Sequence, residues 1–172
     1  MATTYSTILN YTLPSDVASI TLGSGGQGTI PQTYTDLILV ISGKVSGTAT
    51  QNLKMQFNGI STGTPYAAAR LLGVESGSPD SSTTTAQNYM FIGDVCDAPF
   101  AATISIPRYS TTNTNKTFIS RVGTVKTGQT YYGMYMGNWN NNNTAITSIT
   151  ISHNAYNLSA GTKFSLYGIL AA

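Results

Sequence analysis

Charge is what this chain has least of: Asp, Glu, Lys and Arg together make up 8% of its 172 residues, against about 25% in an ordinary soluble domain. The eight bases, Lys44, Lys54, Arg70, Arg108, Lys116, Arg121, Lys126 and Lys163, are scattered from end to end. They form no stripe able to track phosphates, so nucleic acid is excluded as an expected partner. There is one cysteine, Cys96, and one histidine, His153. No internal disulfide is available, and no Cys/His spacing offers a zinc site, so neither a metal nor a cofactor is expected. No stretch approaches the roughly 20 apolar residues of a membrane helix. Thr3, Thr4, Ser6 and Thr7 break up the start of the chain, so no export signal is read there. The expectation is a soluble protein made in a reducing cytoplasm. Good helix formers are scarce, and no window holds apolar residues at helical spacing for three turns.

What fills the gap is Thr, Ser, Asn and Gly, with apolar residues still at 41% and with 11 Tyr and 5 Phe. That composition is not that of a disordered chain, which pairs low hydrophobicity with high net charge; here the net charge is +2. Period-two alternation marks strands: Leu53, Met55 and Phe57 share one face, with Lys54, Gln56 and Asn58 on the other. The pattern recurs over 102–106 and 163–168. Two denser runs, Leu37 to Ile41 and Tyr89 to Ile92, read as central strands covered on both faces. Turn clusters at 23–26, 59–63, 76–80 and 138–143 punctuate the chain.

About ten strands at this spacing read as an all-β, jelly-roll-like antiparallel β-sandwich, a single domain over 1–172. They are expected near 5–11, 17–22, 33–42, 52–58, 87–95, 102–107, 117–126, 131–137, 145–152 and 163–170. Apolar parity shifts between Ile146 and Ile149, so the strand there either bulges or begins late. A short helix, if any, falls at Tyr66 to Leu72. Core positions are expected at Leu37, Leu39, Ile41, Leu53, Met55, Phe57, Ile104, Ile106, Phe164 and Leu166.

Candidates for chemistry are few. The carboxylates are Asp16, Asp36, Glu75, Asp80, Asp94 and Asp97. Asp94 and Asp97 flank Val95-Cys96 and read as strand-end groups that accept backbone hydrogen bonds, not as a hydrolytic pair. His153 lacks a Gly-x-Ser-x-Gly partner motif. Cys96 reads as a small buried apolar group. The glycine-rich Gly23 to Gly28 is followed by Thr29-Ile30-Pro31 and lacks the Lys-Ser/Thr of a phosphate loop, so it reads as a hairpin loop. The Asn-x-Ser/Thr triplets at Asn10, Asn115, Asn142 and Asn157 arise by chance in such a composition. No catalytic residue is expected.

The most distinctive segment runs from Tyr131 to Asn143. Aromatic faces stack on sugar rings and amides hydrogen-bond hydroxyls in both directions, so Tyr131, Tyr135, Trp139, Asn140 and Asn141 form the expected interaction surface. The alternatives are a Tyr/Met-rich strand packed in the sandwich before an Asn turn, and burial against another subunit.

Five segments, 19–22, 30–42, 55–59, 139–151 and 164–169, resemble β-rich virion proteins of tailed bacteriophages, notably of cyanobacterial and marine phages. The pieces Pro31 to Leu37 and Phe164 to Ile169 are the most specific. The resemblance implies a virion structural protein without catalytic residues, either a capsid decoration (cement) protein or a tail-fibre domain. With no coiled-coil or collagen-like stem in the sequence, decoration is the expected role. Its partners would then be the major capsid protein or other virion proteins, in a homo-oligomer expected to be a trimer, within a virion assembled in the host cytoplasm. A receptor- or carbohydrate-binding module is the alternative, with host glycan as ligand.

Overall fold

The computed structural model describes residues 4–170 apart from 76, 127, 128 and 142, with only the backbone described at 126 and 129. Ser76 of one expected turn and Asn142 of another lie outside the described residues. The strands are β1 (Tyr5–Thr12), β2 (Ser19–Gly23), β3 (Asp36–Gly43), β4 (Gln51–Phe57), β5 (Tyr66–Val74), β6 (Asp80–Gln87), β7 (Met90–Val95), β8 (Phe100–Pro107), β9 (Lys116–Lys126), β10 (Gln129–Trp139), β11 (Ser148–His153) and β12 (Lys163–Ile169). All pairings are antiparallel, in an eight-stranded sheet of order β1-β12-β3-β8-β9-β10-β5-β6 and a four-stranded sheet of order β2-β11-β4-β7. The chain is therefore an all-β sandwich. From β1 to β5 it alternates between the two sheets, and such crossings create one core instead of two separate meanders.

The core lies where the small sheet covers one face of the large one. All ten expected core residues are buried. Their alternation explains the two-sided character of each strand: Leu37, Leu39 and Ile41 point inward while Ile38 and Val40 remain half-exposed on the outer face. Coverage of β3 on both faces is therefore corrected, because nothing among the described residues stacks on the outside of the large sheet. The run Tyr89 to Ile92 is also not central; from Met90 onward it lies in β7, the edge of the small sheet, which packs across β9, β10 and β5.

Two strands differ from the sequence reading. The stretch Tyr66 to Leu72 is not a helix but most of β5, held between β10 and β6. Its alanines have high helix propensity, but Tyr66, Ala68 and Leu72 alternate inward, and the Tyr66 hydroxyl anchors the strand by bonding the carbonyls of Phe57 and Ile60, at 3.2 and 2.9 Å. Burial pushes that phenol up to about 12, despite the opposing effect of its hydrogen bonding with Phe57. Strand β6, unexpected from sequence, reads DSSTTTAQ and is the exposed edge beside β5. The parity shift near Ile146 resolves as a late start at Ser148. The glycine-rich loop folds back on β2, where Gly23 donates to the Gln27 carbonyl at 2.8 Å and Gln27 donates to that of Thr21 at 2.8 Å.

Candidate functional site

Strand β10 sorts its side chains by parity. Tyr135 and Trp139 point inward and are both 0% exposed, whereas Tyr132, Met134 and Met136 point out. The expected surface is therefore corrected at Tyr135 and Trp139. Trp139 sits between Phe57, at a ring separation of 5.6 Å, and Tyr66, at 6.3 Å. Tyr135 packs over Gly133, where a Cβ would lie 2.6 Å from its ring. Burial and the neighbouring Asp94 carboxylate both push the Tyr135 phenol up. Tyr131 and Asn141 are half-buried and Asn140 is exposed at the strand end; the outward row of β10 lies elsewhere.

On the outer face, the register of β10 against β5 sets Tyr132 opposite Gly73, Met134 opposite Leu71, Met136 opposite Ala69 and Asn138 opposite Ala67. Because β5 offers only small side chains there apart from Leu71, a trough runs along it. One wall is the Tyr132-Met134-Met136-Asn138 row, and the other is the hydroxyl row Ser81, Thr83 and Thr85 of β6. Three adjoining hollows of about 730, 400 and 270 Å³ follow one another along this line, with Leu71 and Ser81 shared by the first two and Ala69, Thr83 and Met136 by the last two. The stretch of β5 that lines it, 67–73, makes the groove about 20 Å long. At its wide end the Tyr132 ring lies across Gly73, where any Cβ would come within 2.4 Å of the ring. The ring remains 55% exposed. It thus offers an exposed aromatic ring beside hydroxyls, an arrangement suited to a ligand with both apolar faces and hydroxyl edges.

Beneath the groove, the inward-pointing Arg70 joins the sheets. Its guanidinium meets Asp80 of β6 at 2.5 Å and Asp94 of β7 at 3.1 Å. Asp94 also accepts a hydrogen bond from the Asn52 side chain. The reading of Asp94 as a turn acceptor is corrected: it is a buried carboxylate held by an ion pair, while Asp97 is exposed.

His153 lies far from the groove, on β11 in the small sheet. Its Nδ1 accepts the N–H groups of Ala155 and Tyr156, at 3.3 and 3.1 Å, which places the proton of the neutral ring on Nε2. It stacks on Tyr156 at 5.5 Å. Burial lowers its pKa, against the opposing hydrogen bonding of the Gln51 and Val95 backbone, with lesser contributions from Lys54, which lowers it, and Asp94, which raises it. Cys96 is buried with its sulfur 3.8 Å from the Thr124 hydroxyl. Among the described residues no three His, Cys, Asp or Glu side chains group as metal ligands.

No protein-family model matches the chain, and no curated protein matches it. Among solved structures, the chain is similar to the Ruminococcus gnavus IT-sialidase CBM40, at 11% identity and a TM-score of 0.38, covering 95% of this chain and 94% of that one. It is also similar to a double mutant of the alginate lyase Aly36B in complex with alginate tetrasaccharide, at 9% identity and a TM-score of 0.28, covering 98% and 82%. Likenesses of this size assign no residue here a role.

Proposed function

We propose that the protein is a non-catalytic recognition module that binds a saccharide chain along β5. The observation that carries this reading is the exposed Tyr132 ring, its edge set against Gly73, at the head of a trough about 20 Å long with hydroxyls along one wall. A sugar ring has an apolar face for Tyr132 and the methionines, and equatorial hydroxyls for Ser81, Thr83, Thr85 and Asn138. Among the described residues that line the groove the one carboxylate, Asp80, is engaged by Arg70, and the histidine lies on the other sheet, which supports binding without turnover. Oligosaccharide arrays spanning neutral and acidic chains test this. The wild-type protein is expected to bind, and Tyr132→Ala to weaken binding about tenfold at unchanged melting temperature. Absence of binding to every class overturns the reading.

A specific observation favours a second reading. Ile119, Val125, Met134, Met136 and Leu71 form an exposed apolar, Met-containing patch on the same face, a composition that suits a protein interface. On that reading the protein decorates a virion shell, with the major capsid protein as partner and trimers at local three-fold positions. Density for the protein in an image reconstruction of an intact particle supports it, and a particle lacking the protein contradicts it.

A further inference from the structure

We infer that the wide end of the groove selects a saccharide carrying a carboxylate, such as a uronic acid unit, and that Arg121 is the residue that reads it. This rests on the saccharide reading of the same groove and adds the ligand's charge class.

Among the described residues, the outward positions of β9, β10, β5 and β6 carry a single charged side chain, Arg121. Its cross-strand neighbours are Met134 on β10 and Thr103 on β8, both neutral. It lines the widest hollow together with Tyr132 and Ser81. The carboxylate lining that hollow, Asp80, is drawn to the other side of the sheet by Arg70, at 2.5 Å, and Arg70 is itself shared with Asp94, while Glu75, just past β5, accepts a hydrogen bond from the Thr130 hydroxyl at 2.7 Å. Arg121 thus has no carboxylate partner among the described residues. A guanidinium offers a rigid fork of donors that matches a carboxylate with two parallel bonds. Among the described residues of these four strands no other outward cation competes for the anion. Arg121 lies two positions along from the residue paired with Tyr132, about 7–8 Å away across the strands. One sugar ring stacked on Tyr132 therefore brings a ring carboxylate within reach of the guanidinium, while its hydroxyls face β6.

The test compares a galacturonic acid oligomer with its fully methyl-esterified counterpart, which keeps the sugar and removes the charge. Calorimetry on the intact chain is expected to give about tenfold tighter binding of the acid, a preference that shrinks as salt is raised. Arg121→Gln is expected to abolish the preference while leaving affinity for the ester within about twofold; Arg121→Lys, which keeps the charge without the fork, retains part of it. Circular dichroism confirms the fold of each exposed-site variant. Equal binding of acid and ester by the wild type overturns the role of Arg121 and leaves the saccharide reading standing. A preference that survives Arg121→Gln also overturns it. Binding of neither oligomer overturns the assignment of an acidic saccharide, while the saccharide reading itself falls only if the neutral chains of the array fail as well.

Discussion

Trp139 and Tyr66 are cross-strand partners on the inner face of the large sheet, their rings stacked at 6.3 Å and 24°. The only tryptophan in the chain is consequently a core residue rather than a contact. Trp139→Ala is expected to cost about 3–5 kcal/mol of unfolding free energy, the usual loss for a buried tryptophan. Denaturant titration reads this directly. The fluorescence of Trp139 in the native protein is expected to be blue-shifted and to stay unchanged when saccharide is added.

Gly73 bears on the groove in a different way. Its backbone lies outside the left-handed region, so alanine is tolerated there, but the new Cβ would displace the Tyr132 ring from 2.4 Å. Gly73→Ala is expected to leave unfolding free energy within about 1 kcal/mol of wild type. Saccharide affinity is expected to fall as far as in Tyr132→Ala. Chemical denaturation and calorimetry on the same samples separate the two effects.

Arg70 holds a carboxylate on each sheet. Removing it leaves Asp94 buried without its cation, and breaking a buried pair from one side costs about 3–5 kcal/mol. Because the Arg70 side chain is itself 29% exposed, the loss expected for Arg70→Ala is at the lower end, about 3 kcal/mol. Replacing both, as Arg70→Met with Asp94→Leu, is expected to recover much of it. A double-mutant cycle measures the coupling.

His153 gives the stability a pH dependence whose sign follows from its lowered pKa in the fold. Between that value and the ordinary 6.5 of the unfolded chain, the unfolded state holds more protons. Stability from this residue is therefore complete above 6.5 and is lost as pH falls through the window below it. His153→Asn, whose carbonyl replaces Nδ1 as acceptor, is expected to flatten this part of the profile. Melting temperatures measured across mildly acidic to neutral pH provide the check.

The sandwich was legible wherever one face of a strand is apolar and the other polar, as in Leu53 to Asn58. It was hidden where that contrast vanishes. In β5 the outward positions Ala67, Ala69 and Leu71 are apolar too, so alternation is masked and alanine's helix propensity dominates. In β6 both faces are exposed and no residue is strongly apolar, so pairing with β5 alone makes it a strand. The Tyr/Met segment was recognisable, but with large side chains at both parities nothing local says which face is inward. The register to Tyr66 and Lys116 decides it. The groove combines β5, β6, β9 and β10, and the closeness of Arg121, Tyr132 and Ser81 exists only after those strands pair.

The most direct measurement is a residue-resolved titration of amide chemical shifts, adding a galacturonic acid oligomer to isotope-labelled protein. If the outer face of β5 and β10 is the binding site, shifts concentrate at Leu71, Ser81, Arg121, Tyr132 and Met134, with β2, β11 and the Trp139 indole unmoved. Shifts gathered on β2 and β11, or confined to the loop at Asn140 and Asn141, would contradict the account.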